Sequence, residues 1–151
     1  MSFLIKSATI YDQGSKHHKK RLNVLIEKGK IAYIGKESPK SREVLDVKGG
    51  ILSVGWFDMN TTFGDPGLEH KEDLDSGLNA AQAGGFTGVA LLPNTKPVTQ
   101  TKNAISYLKS KNTDSLTQVY PYAAVTIDTK GEDLTEMIDL HTAGAIGFTD
   151  G

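Results

Sequence analysis

The sequence predicts an α/β chain in which a small β-rich stretch precedes a parallel sheet with helical crossovers. Three observations carry this reading. Short extended segments separated by turn residues fill residues 1–50, and strand and helix patterns alternate from residue 51 onward. The run Phe86–Leu92 is almost continuously apolar, as suits a strand covered on both faces.

Taken in order, Phe3–Tyr11 and Leu22–Ile26 read as extended, and Glu27-Lys28-Gly29-Lys30 turns the chain back into Ile31–Ile34. Val44–Val47 adds a further short strand, and the group is expected to pair as antiparallel hairpins. Leu52–Phe57 leads into the first strand of the parallel part. Leu74, Leu78 and Ala81 have the spacing of a helix with one buried face over Leu74–Ala83, which Gly84-Gly85 stops. After Phe86–Leu92, the residues Ala104, Ile105 and Leu108 form the buried stripe of a second helix that Thr99 or Thr101 could cap. Val119–Val125 reads as the third strand. Leu134, Met137, Ile138 and His141 mark a third helix, Gly144 ends it, and Ile146–Phe148 begins a fourth strand.

Composition narrows the class. A chain of 151 residues with 38% apolar and 23% charged residues has the profile of an ordinary soluble globular domain. No apolar run is long enough to span a bilayer, and Lys6 interrupts the short stretch Phe3-Leu4-Ile5, so the expected compartment is the cytoplasm. The absence of cysteine excludes disulfides, thiolate catalysis and cysteine-bound metal within these residues. A net charge of −1 leaves no electrostatic footprint for nucleic acid or anionic lipid, and the basic cluster Lys16-His17-His18-Lys19-Lys20-Arg21 reads as a solvated hairpin tip. Ala83-Gly84-Gly85-Phe86-Thr87-Gly88 leads from a helix into a strand. A phosphate-cradling loop needs the opposite order, so nucleotide binding is rejected.

The most informative stretch is Asp58-Met59-Asn60-Thr61-Thr62-Phe63-Gly64-Asp65-Pro66-Gly67. It is followed by Leu68-Glu69-His70-Lys71-Glu72-Asp73, by Ala83-Gly84-Gly85-Phe86-Thr87, by the Pro93-Asn94-Thr95 turn, and by Gly144-Ala145-Ile146-Gly147-Phe148-Thr149-Asp150-Gly151. These segments resemble the dihydroorotase family of the amidohydrolase superfamily, whose first barrel strand reads Asp-Met-His-x-His-Phe/Leu-Arg-Glu/Asp-Pro-Gly. The anchors cover most of residues 50–151. The resemblance implies that residues 51–151 form strands 1–4 of a (β/α)8 TIM-type amidohydrolase barrel, and that residues 1–50 are an incomplete portion of a small β-sandwich. A closed barrel of this type needs about 250 residues, so the chain reads as a fragment of a longer polypeptide rather than an open half-barrel with exposed edges.

The resemblance also implies a chemistry: a zinc ion held by the His-x-His pair activates water against a cyclic amide, and the arginine clamps a substrate carboxylate. In this sequence the two histidine positions are Asn60 and Thr62, and the arginine position is Gly64. No catalytic residue and no cofactor are therefore expected of this chain, zinc belonging to the resembled family. Asn94 matches a family asparagine that hydrogen-bonds substrate, against the alternative of a turn asparagine bonding its own backbone. Asp150 matches a metal-ligating aspartate as a relic, although the family has Asp-Asp-Gly where this chain has Asp150-Gly151, and an aspartate before glycine is also a turn former. His70 is read as satisfying free amides at a helix entry, His141 as a packed or boundary residue, Asp58 as holding the strand-end loop and Asp65 as a partner of nearby amides. The expected function is that of a silent homologue in pyrimidine biosynthesis, assembling as a homo-oligomer or with an aspartate transcarbamoylase-like partner. Two alternatives stand beside it: an active cyclic amide hydrolase using other ligands, and a self-standing α/β binding module.

Overall fold

A computed structural model describes residues 2–113 and 115–151 and divides the chain into two units, with the boundary after Val54. In the first unit, strands β1 (Ser2–Tyr11), β2 (Arg21–Glu27), β3 (Lys30–Gly35), β4 (Glu43–Asp46) and β5 (Ile51–Ser53) form one sheet in the order β3-β2-β1-β4, with β5 also on β1. The first three strands are antiparallel neighbours, turned at Lys28 and Gly29, both of which take the positive φ of a two-residue hairpin loop. β4 and β5 differ from the hairpin expectation, because both run parallel to β1. After β3 the chain crosses to the far edge of β1 and so arrives in the same direction as that strand. Leu52, expected to lead into the parallel part, pairs instead with Ile10.

A break in the β1–β2 register between Ile5 and Ala8 leaves the Ser7 amide free of the ladder, and the buried Asn23 side chain accepts from it at 2.9 Å. Asn23 also donates to the carbonyls of Lys36 and Glu37, so one buried amide satisfies the bulge and fixes the exit from β3. On one face of the sheet Ile5, Ile10, Val24, Ile26, Ile34 and Leu52 line an apolar hollow of about 210 Å³.

In the second unit the order is β6 (Trp56–Thr61), α1 (Leu74–Ala83), β7 (Phe86–Leu91), α2 (Lys102–Ser110), β8 (Gln118–Ala123), α3 (Met137–Ala143) and β9 (Gly147–Phe148). The four strands lie side by side as β6-β7-β8-β9 and every neighbouring pair is parallel, which is the strand–helix repeat of half a barrel. α1 and α2 start where side chains accept free amides: Asp73 from Ser76 N at 2.7 Å and Thr101 from Ala104 N at 3.2 Å. The α3 stripe differs from the sequence expectation. The helix begins at Met137, Leu134 lies outside it in a bridge to Thr126, Leu140 is the buried residue, and Ile138 is 85% exposed. Packing turns Leu140 rather than Ile138 and His141 inward, and the exposed His141 has its Nδ1 3.3 Å from the Ala145 carbonyl.

The main core joins Leu74 and Leu78 of α1, Leu108 of α2, Val89 and Leu91 of β7, Val119 of β8, and Phe63 beyond β6. Phe63 packs directly on Gly77, where a Cβ would lie 2.5 Å from the ring. A glycine inside a helix costs about 1 kcal/mol relative to alanine, and here it admits the aromatic ring that anchors the strand-end loop. Thr61 pairs in register with Leu91 on this same face, and its hydroxyl is buried without a partner among the described residues. Thr61→Val removes an unsatisfied polar group and is expected to stabilise the chain by about 1 kcal/mol in urea unfolding. Equal or lower stability would contradict that packing.

Candidate functional site

The C-terminal ends of β6 and β7 form the candidate site, because side chains at those ends lie where barrel enzymes build their chemistry. Asn60 and Thr62 flank Thr61, so strand alternation turns both to the face opposite the core, and both are exposed. β6 and β7 stay joined past the ladder by Leu92 N donating to the Thr61 carbonyl at 2.9 Å. This join brings Asn94 to Thr62: the Asn94 Nδ2 donates to Thr62 Oγ1 at 3.5 Å. The turn around Asn94 is held by others, with Thr95 N and Thr99 N both donating to the Pro93 carbonyl and the Thr95 and Thr99 hydroxyls 2.9 Å apart. Asp58 accepts from the Asn60 amide at 2.9 Å, which fixes the strand end from within.

Gly64 sets the shape of the loop that follows. Its amide donates to the Glu72 carbonyl at 2.9 Å, and its own carbonyl accepts from Leu68 N at 2.7 Å. A Cβ on Gly64 would collide with the Leu68 carbonyl and lie 2.8 Å from that of Glu72. The place where the resembled family carries an arginine is thus filled by main chain. Asp65, 7% exposed, accepts from Tyr107 Oη at 2.7 Å and from Leu74 N at 3.4 Å, tying the loop to α2 and to the start of α1. The Asp65 carboxylate holds the Tyr107 phenol protonated, pushing it up to about 12. Glu69 accepts from Gly67 N at 2.7 Å, and that bond lowers its carboxyl below the ordinary value.

Between these elements lies an open cleft of about 250 Å³, lined by Thr62, Phe63, Gly64, Leu68, Lys71, Glu72 and Asn94. Of the sequence-derived candidates, Thr62, Gly64 and Asn94 therefore meet at one place. Asp150 lies elsewhere, at the end of β9. Its carboxylate accepts from the Val125 and Thr126 amides at 2.9 Å each and from the Thr126 hydroxyl at 2.7 Å, and this clamp orders the turn after β8. His70 is exposed, and Asp73, not His70, caps the helix entry. The signal for Asp73 was present in the sequence, as an aspartate directly before an apolar helical period. Lys71 and Glu72, which the sequence marks only as part of the family-like segment 68–73, also line the cleft because the loop closes on Gly64.

The donor set here does not fit zinc. An amide and a hydroxyl are weak, neutral, hard ligands, the Thr62 hydroxyl already meets Asn94, and the Asp150 carboxylate is taken up by three donors. Among the described residues no three His, Cys, Asp or Glu side chains gather in metal-ligating geometry.

Four parallel strands joined by helices, with the candidate site at their C-terminal ends, have the architecture of the first half of a TIM-type barrel, and solved structures agree on that fold. L-hydantoinase from Arthrobacter aurescens superposes with a TM-score of 0.76 at 22% identity, covering 97% of this chain and 32% of that one. A dihydroorotase structure superposes with a TM-score of 0.64 at 11% identity, covering 97% of this chain and 41% of that one. At such identities the likeness speaks for the fold. Residues 49–151 match the Dihydro-orotase-like family profile, and the chain belongs to that family. Dihydroorotases of Geotalea daltonii and Geobacter sulfurreducens are 40% and 41% identical over 153 aligned residues, covering 99% of this chain. The chain spans 36% of the length of each.

Two measurements test the site's geometry. Gly64→Ala is expected to lower the unfolding free energy by about 2 kcal/mol or more, since the new methyl meets fixed carbonyls; a near-neutral effect in urea unfolding would contradict the close approach. The Asp150 carboxyl is held below its ordinary value near 3.8, chiefly by the Thr126 amide and then the Thr126 hydroxyl. A depressed value means that the clamp's contribution is present above the ordinary range and is lost as pH falls through the folded value. Hydrogen exchange at the Val125 and Thr126 amides, corrected for its intrinsic pH dependence, is expected to accelerate in that acid window. Unchanged protection there would show that the carboxylate does not hold the turn.

Proposed function

We propose that this chain is part of a dihydroorotase-like protein of pyrimidine biosynthesis that has lost turnover and serves as a structural partner in the cytoplasm. The partner is a second copy or an aspartate transcarbamoylase-like enzyme. One observation carries the reading: Asn60, Thr62 and Gly64 stand together at the end of β6, and the main chain has closed over the third of them. Loss of one ligand is repairable by a substitute. Loss of two imidazoles and a guanidinium, with the space of the last filled by carbonyls, removes metal binding and substrate clamping at once. Among the described residues no helix is long and apolar enough to cross a membrane, in keeping with a cytoplasmic setting.

A second reading, an active cyclic amide hydrolase recruiting other ligands, draws support from the relatives of about 40% identity that are named dihydroorotase. Full-length protein supplied with zinc and dihydroorotate separates the two. The silent reading expects ring opening no faster than the buffer background, together with a stable complex when the protein is co-expressed with its transcarbamoylase. Zinc-dependent turnover above background would refute it.

A further inference from the structure

We propose that the connection between β1 and β2 is an acid-sensitive latch, closed while a neutral His18 accepts the Asp12 amide at Nδ1 and released when that ring takes up a proton. The inference lies in the first unit and does not rest on the proposed function.

The polarity of one hydrogen bond carries the inference. Asp12 N donates to His18 Nδ1 at 3.1 Å. A backbone N–H can only donate, so the nitrogen that receives it must keep a free lone pair. Neutral imidazole has one such nitrogen; the imidazolium has none, because both of its nitrogens bear hydrogen. Protonation of His18 therefore sets N–H against N–H at a separation suited to a hydrogen bond. His141 is the opposite case: its Nδ1 lies 3.3 Å from the Ala145 carbonyl, an acceptor that a protonated nitrogen suits whether the ring is neutral or charged.

The surroundings hold the ring and leave Asp12 as the part that changes. The His18 and Tyr11 ring centroids are 5.0 Å apart, tilted at 58°, and His18 N donates to the Ser15 carbonyl at 3.1 Å. Below them the stem is closed by Lys19 N on the Ile10 carbonyl at 2.7 Å and by Ile10 N on the Lys20 carbonyl at 3.0 Å. The Asp12 carboxylate accepts from Gly14 N at 3.0 Å, so the residue whose amide a charged ring repels also carries the anion that attracts it. Charge-assisted hydrogen bonds are roughly twice as strong as neutral ones, which favours the exchange of amide for carboxylate and takes the acceptor from Gly14. The other titratable groups of the connection are Lys16, His17, Lys19 and Lys20, with Tyr11 and Arg21 at its ends. None of these forms a salt bridge among the described residues, so no ion pair fixes the loop against the change. Ile10, Asp12 and Ser15 also line the apolar hollow of this unit, so release of the latch alters the rim of that hollow. A fold that binds the neutral ring loses the bond as protons are added: the latch is closed at higher pH and opens as pH falls.

Hydrogen exchange at the Asp12 and Gly14 amides of the full-length protein, corrected for its intrinsic pH dependence, tests the switch between about pH 8 and about pH 5, the span in which histidine changes charge. Both amides are expected to exchange about tenfold faster at the acid end, the effect of losing one hydrogen bond. The Ile10 and Lys19 amides of the stem are expected to stay protected, which separates release of the latch from unfolding of the sheet. In His18→Asn, whose side-chain oxygen accepts but does not titrate, the Asp12 amide should remain protected across the whole span. In His18→Ala it should exchange throughout at the rate that wild type reaches in acid. Wild-type protection that does not change with pH, loss of stem protection together with that of Asp12, or a pH response that survives in either variant would overturn the proposal.

Discussion

The approach of main chain to Gly64 is the constraint on which the site depends. Two carbonyls, of Leu68 and Glu72, occupy the volume that any side chain at position 64 would need, and two backbone hydrogen bonds hold them there. Everything around the cleft follows from that closure. It sets the path of residues 64–72, brings Lys71 and Glu72 to the rim, and leaves Asp65 pointing inward, where Tyr107 and the Leu74 amide take up its carboxylate. A buried carboxylate needs such partners, since leaving one unpaired costs several kcal/mol. The helix α1 is thereby held at both levels of its entry, by Asp65 behind it and by Asp73 at its cap.

This closure gives the replacements on β6 their meaning. Asn60 and Thr62 put an amide and a hydroxyl where the resembled family has imidazoles, and at Gly64 main chain lies where it has a guanidinium. Thr62 meets Asn94, and the Asp150 carboxylate accepts from the Val125 and Thr126 amides and the Thr126 hydroxyl in the turn after β8. A carboxylate that accepts three hydrogen bonds is stabilised as an anion and is a poor candidate for sharing its lone pairs with a cation. The polar groups at these strand ends hold the turns next to them.

Much of the fold was legible in the sequence because its signals were local. The helix over Leu74–Ala83 announced itself by apolar spacing and a Gly-Gly stop, and the β7 strand by an almost continuous apolar run. What misled was non-local or short. The parallel pairing of β4 and β5 with β1 depends on a chain crossover that no window of residues encodes. In α3 the expected stripe ran through Ile138 and His141, but seven residues give too few turns to fix a face, and packing chose Leu140 against Ile105 and Ala123. At the site, the sequence marked Asn60, Thr62, Gly64 and Asn94 through motif positions. It could not show that Gly64 is sterically required, because that needs the backbone of residues 68 and 72 in place.

The account is tested most directly by anomalous diffraction at the zinc edge from crystals of the full-length protein grown with excess zinc. No peak is expected at the end of β6, with the 64–72 loop closed on Gly64 and the Asn94 amide on Thr62. An anomalous peak between the Asn60 and Thr62 side chains, with the loop drawn back from Gly64, would contradict it.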